Sequence, residues 1–167
     1  DYIGDSEKRT NKYIHIIDEI FKKNNVNSVL DLSCGTGVDS IALIKLGYDV
    51  TSIDLSKDMI KKTKEIKEFY KDVSGFKDWE IRKLNWLDLN ENTFDKKFDA
   101  AICLGNSFSH LLEKTNSKEN HKKALKNFKN SLKKKGILII DHRNFDYILE
   151  NQKAPISNIY YDGKTEN

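Results

Sequence analysis

Along most of the chain, short apolar runs alternate with stretches in which apolar residues recur every three or four positions. Tyr13, Ile16, Ile17, Ile20 and Phe21 follow the helical spacing and predict a first helix that ends near Asn24–Asn25. "VNSVLDL" predicts a strand, and "VDSIALIKLG" a short helix stopped by Gly47. "YDVTSIDL" predicts a second strand. Ser56 is placed to cap a helix over "KDMIKKTKEIKEFY", with Met59, Ile66 and Phe69 on one face. "WEIRKLNW" and "FDAAICLGN" predict a third and a fourth strand, the latter apolar enough to be central. Ala124, Leu125, Phe128 and Leu132 mark a further helix. "GILIIDHR" predicts a fifth strand, buried on both faces. "FDYILEN" predicts a short helix, and the last dozen residues carry no clear pattern.

Regular alternation of strand and helix predicts an α/β fold, a doubly wound, mostly parallel sheet covered by helices. Residues 1–167 read as a single domain, without internal repeats or low-complexity linkers. Ligands of such sheets bind outside the carboxyl ends of the strands, where the strand order reverses. The stretches "DLSCGTG", "SIDLS", "LNWLD", "CLGNS" and "DHRN" all end strands. They are expected to converge on one site.

Composition narrows the classes. Of 167 residues, 38% are hydrophobic, enough for a real core, and 33% are charged. With 29 basic and 26 acidic residues the net charge is only +3, which calls for neither a nucleic-acid nor a membrane partner. Lysine clusters such as "KKTK" (61–64) and "KKK" (133–135) read as solvated helix faces. No apolar segment is long enough to span a bilayer, and no secretory signal opens the chain, so a cytoplasmic location is expected. Cys34 and Cys103 do not form a disulfide framework and read as free thiols. They share no metal-ligand spacing with His15, His110, His121 and His142, so no metal is expected.

The candidate chemistry starts at "DLSCGTG". Gly35 and Gly37 permit a tight turn and a close backbone approach, and the helix that follows offers free N–H groups. A dinucleotide fingerprint would continue G-x-G-x-x-G/A, but Ser40 stands at the third small position. Preceded by Asp31, the pattern favours a nucleoside bound without a pyrophosphate. Asp54, at the end of the second strand, can accept hydrogen bonds from both ribose hydroxyls; the plainer reading is a helix cap beside Ser56. Asn85 and Trp86 suit a purine by hydrogen bonding and stacking, although an indole here is also ordinary core.

Taken together, "YIGD" (2–5), "VLDLSCGTGVDSI" (29–41), "VTSIDLSKDM" (50–59), "NW" (85–86), "ICLGNSFSHL" (102–111), "ALKN" (124–127), "IDHRNFDYIL" (140–149) and "NIYY" (158–161) resemble the glycine and glycine/sarcosine N-methyltransferase family. These are class I S-adenosylmethionine-dependent enzymes with a Rossmann-like fold. The resemblance implies S-adenosyl-L-methionine as cofactor, S-adenosyl-L-homocysteine as product, and no metal. It implies that Arg9 holds the carboxylate of the cofactor's methionine part and that the Ser33 backbone, beside Gly35, faces its amino group. Asp54 would take the ribose, Asn85 and Trp86 the adenine, and Leu104 and His110 would line the same pocket. Arg143 would pair with the carboxylate of the amino acid substrate, and Asn106 would hold it from a second direction. Gly105 and Tyr2 would lie close to the reacting amine and methyl group.

The residue chemistry agrees with this. A small carboxylate is matched by a bidentate arginine, and transfer by direct displacement at the methyl carbon needs positioning more than a covalent intermediate. No side chain is singled out as a general base. For Arg143 a second reading stays open, a structural ion pair with Asp141 or Asp146. The resemblance further implies two antiparallel edge strands and an N-terminal segment beyond these 167 residues. In a microbe the activity would resemble the first steps of betaine synthesis; in an animal, control of methyl supply. A different small amine as acceptor, or a cofactor-binding module without catalysis, are the alternatives. "LGNS" lacks the proline-aromatic tetrapeptide of exocyclic-amine nucleic-acid methyltransferases, and the missing third small residue disfavours a nicotinamide oxidoreductase. Oligomerisation is left open.

Overall fold

The computed structural model describes Thr10, residues 13–113 and residues 116–153. Tyr2, Arg9 and the "NIYY" stretch lie outside the described residues. The elements follow in the expected alternation: α1 (Ile14–Lys23), β1 (Ser28–Asp31), α2 (Val38–Lys45), β2 (Asp49–Asp54), α3 (Lys57–Phe69), β3 (Glu80–Lys83), β4 (Phe98–Cys103), a 3-10 turn (Ser107–His110), α4 (Glu119–Ser131), β5 (Leu132–Ile140) and α5 (Phe145–Asn151).

The five strands form one sheet in the order β3-β2-β1-β4-β5, and every neighbouring pair is parallel. The chain builds outward from β1 to β3, then crosses back to lay β4 on the other side of β1. The order therefore reverses between β1 and β4, and the crevice of a doubly wound fold opens at their carboxyl ends. β1 reads "SVLD" and is buried throughout, as a central parallel strand covered on both faces must be.

Alternate side chains feed two cores. Val29, Val50, Ala100 and Ile102 join Ile14, Ile17 and Phe21 of α1, Leu43 and Ile44 of α2, and Trp79. Leu30, Ile53, Ala101 and Cys103 face the opposite way and pack with Phe94, Phe98 and with Ala124 and Phe128 of α4. Period-two alternation places successive strand residues on opposite faces.

Several expectations are corrected in detail. In α1, Ile16 and Ile20 are exposed, and the inward stripe is Ile14, Ile17 and Phe21. In α3 the buried face is Ile60 and Thr63, while Phe69 is 82% exposed. Ser56 does cap this helix, accepting a hydrogen bond from the Met59 N–H at 3.3 Å. Leu125 of α4 is exposed, and Leu132 opens β5 instead of closing the helix. The "KKK" run lies in β5, where the register with β4 jumps from Phe98↔Leu132 to Ala100↔Ile137. Lys135 sits there at φ +67°, and Lys133 reaches Asp99 at 2.8 Å. β5 is half-buried to exposed along its length, not buried on both faces. Among the described residues it is an edge strand, with β4 as its one neighbour.

Candidate active site

The turn after β1 is set by hydrogen bonds beneath it. Asp31 is buried, and its two carboxyl oxygens accept from Ser33 N–H at 3.2 Å and from Ser40 Oγ at 2.6 Å. Ser40 Oγ lies 2.7 Å from Ser52 Oγ, which accepts from Trp79 Nε1 at 2.7 Å. Ser40 thus occupies the third small position as a fully buried link in a polar chain that props the turn. Burial pushes the Asp31 carboxyl up to about 7; the neighbouring Asp39 charge adds to this, and the bonds from Ser40 and Ser33 act against it.

The two glycines do different jobs. Gly37 has φ +87°, and a Cβ there would stand 2.8 Å from the Trp79 ring and 2.9 Å from Thr63 Cγ2. Its small size serves the packing of the helix start. Gly35 has φ +53° and, among the described residues, nothing within 4 Å of where a Cβ would point. It presents bare backbone to open space at the mouth of the crevice.

Asp54 ends β2 beside Gly35. Its Oδ2 accepts from Gly35 N–H at 2.9 Å, and its Oδ1 accepts from Ser56 N–H at 2.8 Å. Each carboxylate oxygen can take more than one hydrogen bond, so both can still receive a ligand hydroxyl. Ser33 spans the crevice, with Oγ donating to Leu104 O at 3.4 Å. Among the described residues its backbone carbonyl accepts no hydrogen bond. Leu104 is buried, and its carbonyl also accepts from Ser107 Oγ at 2.6 Å.

Asn85 and Trp86 follow β3. Asn85 Oδ1 accepts from Leu87 N–H at 2.9 Å. The Trp86 indole donates to Leu32 O at 2.5 Å and lies edge-on to Phe128, with ring centroids 5.4 Å apart. Its other aromatic neighbour is Phe108, at 6.2 Å. Sequence reasoning missed Phe108; the aromatic inside "NSFSH" was the available signal. His110 ends the 3-10 turn and is exposed.

The ends of β4 and β5 carry the remaining candidates. Gly105 (φ +74°) and Asn106 (φ +58°) are both left-handed. Asn106 is buried at 8% exposure, and its Oδ1 accepts from Arg143 N–H at 3.1 Å, with His142 Nδ1 at 3.2 Å. Its Nδ2 has no partner among the described residues. Arg143 is exposed, and no carboxylate among the described residues pairs with its guanidinium. The ion-pair reading with Asp141 or Asp146 is therefore corrected: Asp141 instead accepts from Asn106 N–H at 2.9 Å.

Ser33, Gly35, Asp54, Leu104, Gly105, Asn106 and Arg143 thus all stand at the carboxyl ends of the parallel strands, and Asn85 and Trp86 follow β3 on the same edge. Cys34 and Cys103 are free and buried, and burial pushes the Cys103 thiol up to about 12. Neither is poised as a nucleophile. Among the described residues no group of three or more His, Cys, Asp or Glu side chains gathers as a metal site, and no helix is long and apolar enough to cross a membrane.

A doubly wound parallel sheet with a glycine turn and an acidic residue at the ends of its first two strands is the frame of a Rossmann-like nucleoside-binding fold. A family profile described as a methyltransferase domain matches residues 23–165, and the chain belongs to that family. Glycine N-methyltransferase of Rattus norvegicus is 42% identical over 162 residues, 96% of this chain and 55% of that protein. Glycine/sarcosine N-methyltransferase of Aphanothece halophytica is 39% identical over 144 residues, 85% of this chain and 50% of that protein. The chain spans about half the length of these curated relatives. Among solved structures, an S-adenosylmethionine-dependent methyltransferase from Clostridium acetobutylicum superposes with a TM-score of 0.69 at 26% identity, covering 85% of this chain and 53% of that one.

Proposed function

We propose that this chain carries the cofactor site and part of the substrate site of an S-adenosylmethionine-dependent N-methyltransferase whose acceptor is glycine, sarcosine or both. The observation that carries the reading is the pairing of a buried amide donor with an unpaired guanidinium. Among the described residues Asn106 Nδ2 and the Arg143 side chain both lack partners, and Arg143 N–H is bound to the Asn106 side chain. A buried amide without a partner is costly unless a ligand completes it. A cation beside it selects a small carboxylate.

The residues present fit the cofactor. Gly35 leaves room and bare backbone where the crevice opens. Asp54 keeps acceptor capacity on both oxygens for the ribose hydroxyls. The Ser33 carbonyl, unmet among the described residues, suits an ammonium group. Asn85, with its oxygen held by Leu87, has an amide nitrogen for the adenine rim, and Trp86 gives that side an apolar wall. Leu104 and His110 complete the pocket in this reading. Gly105 stands near the reacting amine in this reading, and the roles that the resemblance implies for Arg9 and Tyr2 fall on residues outside the described ones. When bound, S-adenosylmethionine supplies an activated methyl group. The chain supplies positioning: Arg143 and Asn106 hold the substrate carboxylate, which directs the amine into the crevice.

Glycine is small enough that its carboxylate and amine carry the recognition, so a single fold serves glycine and its monomethyl product. The chain is read as one domain of a cytoplasmic enzyme, with betaine synthesis as the microbial context. The test is calorimetric titration of S-adenosylmethionine into the full-length chain, followed by methyl transfer to glycine, sarcosine and ethanolamine. Binding with transfer to the amino acids and not to ethanolamine is expected. Transfer to ethanolamine at a comparable rate would overturn carboxylate recognition, and binding without transfer would leave a cofactor-binding module.

A further inference from the structure

β4 and β5 leave the sheet side by side, and three hydrogen bonds sew their ends together crosswise. Asp141 N–H donates to Cys103 O at 3.2 Å, Asn106 N–H donates to Asp141 Oδ1 at 2.9 Å, and Arg143 N–H donates to Asn106 Oδ1 at 3.1 Å. Asn106 is left-handed, a conformation that asparagine tolerates better than most residues with a side chain. It is also buried, so its N–H needs an acceptor, and Asp141 is that acceptor.

With its backbone fixed by Asp141 and its Oδ1 fixed by Arg143 N–H, the planar Asn106 amide has one place left for Nδ2. The Asp141 carboxylate binds across to the residue after the β4 end, Asn106, instead of turning to the guanidinium two residues on, which leaves the Arg143 side chain without a carboxylate partner among the described residues. We infer that Asp141 is a positioning residue, which sets Asn106 and Arg143 in register as the two arms of the substrate-carboxylate grip. The inference rests on the amino acid methyltransferase reading above. In it Asp141 touches neither substrate nor cofactor and acts through Asn106.

Geometry and charge make separate demands. Asp141→Ala removes the acceptor; Asp141→Asn keeps an acceptor oxygen and removes only a negative charge. In the full-length chain, Asp141→Ala raises the KM for glycine about tenfold to a hundredfold, the scale of a misplaced binding group. Its Kd for S-adenosylmethionine stays within about threefold of wild type, because Asp141 bonds to Asn106 and not to the residues assigned to the cofactor. Asp141→Asn restores a KM no higher than that of the parent. A glycine KM unchanged by Asp141→Ala, in a wild-type chain that does methylate glycine, overturns the inference while leaving the reading intact. A wild-type chain that methylates no amino acid overturns the reading and the inference together. Should Asp141→Ala not fold, as judged by circular dichroism, Asp141→Asn decides. A KM at or below the parent's supports the positioning role, and a tenfold loss in kcat overturns it by showing that the charge itself is needed.

Discussion

Asp54 Oδ2 accepts a hydrogen bond from Gly35 N–H at 2.9 Å, tying the glycine turn after β1 to the end of β2. One carboxylate therefore shapes the turn and still has lone pairs for a ligand hydroxyl. Asp54→Ala is expected to raise the Kd for S-adenosylmethionine about tenfold to a hundredfold, the loss of hydrogen bonds to a charged acceptor. Titration calorimetry on the variant measures this, and an affinity within twofold of the parent would remove Asp54 from the cofactor site.

Arg143 is tested by substrate kinetics. Arg143→Ala should raise the KM for glycine about tenfold to a hundredfold, since a charge-assisted bidentate contact is lost. Cofactor affinity should hardly change. Arg143→Lys should recover only part of the loss, because a point charge does not match the carboxylate fork. Unchanged kinetics in Arg143→Ala would remove this residue from the substrate site.

The two glycines of the turn should separate stability from binding. Gly37→Ala combines a left-handed backbone with a Cβ 2.8 Å from the Trp79 ring, and is expected to destabilise the fold by about 2–4 kcal/mol. Gly35→Ala meets open space and should cost only the backbone term, about 1–2 kcal/mol. Its larger effect should be on cofactor affinity. Denaturant unfolding and calorimetry on both variants decide this.

Asp31 predicts a pH dependence of opposite sign to that of the surface carboxylates. Burial first, and the Asp39 charge second, raise its carboxyl to about 7, so the folded chain binds this proton more tightly than the unfolded chain does. Its contribution to stability is fully present below about pH 4, the ordinary carboxylate range, and is lost as the pH rises to about 7. Asp99 works the other way. Burial opposes its ionisation, but bonds from Lys133, from Ser28 N–H and Oγ, and from Asn27 N–H outweigh this and hold it well below the usual range. Its contribution is present above the ordinary range and is lost only in stronger acid. Asp31→Asn should flatten the fall in Tm of the ligand-free protein between about pH 4 and 7, the span from an ordinary aspartate to the buried one. A wild-type Tm that rises through this interval as steeply as that of the variant would contradict this.

Much of the architecture was legible because strands and helices write their periods locally. The "SVLD" and "FDAAIC" runs, short and apolar, read as strands and are buried parallel strands, and Ser56 and Gly47 marked helix ends at the positions observed. The errors fell where a local period meets a tertiary choice. Phe69 continues the predicted stripe of α3 with Met59 and Ile66, yet the helix turns Ile60 and Thr63 inward, and Phe69 is exposed. Leu132 continues the stripe of α4, but pairing with Phe98 draws it into β5.

The same division runs through the site. The sequence by itself determined which residue types stand at strand ends, because a parallel α/β fold sends its loops there whatever the details. Only the tertiary structure decided what each residue is free to do. Ser40, which looked like a defect in a glycine fingerprint, is a buried prop for Asp31. Gly37 is small for the sake of Trp79, and Gly35 for open space. Asp141 could pair with Arg143 two residues away or with the Asn106 backbone across the sheet, and takes the latter. Hydrogen bonds between residues 35 positions apart are set by strand order and register, and those belong to the whole sheet and to no single stretch of sequence.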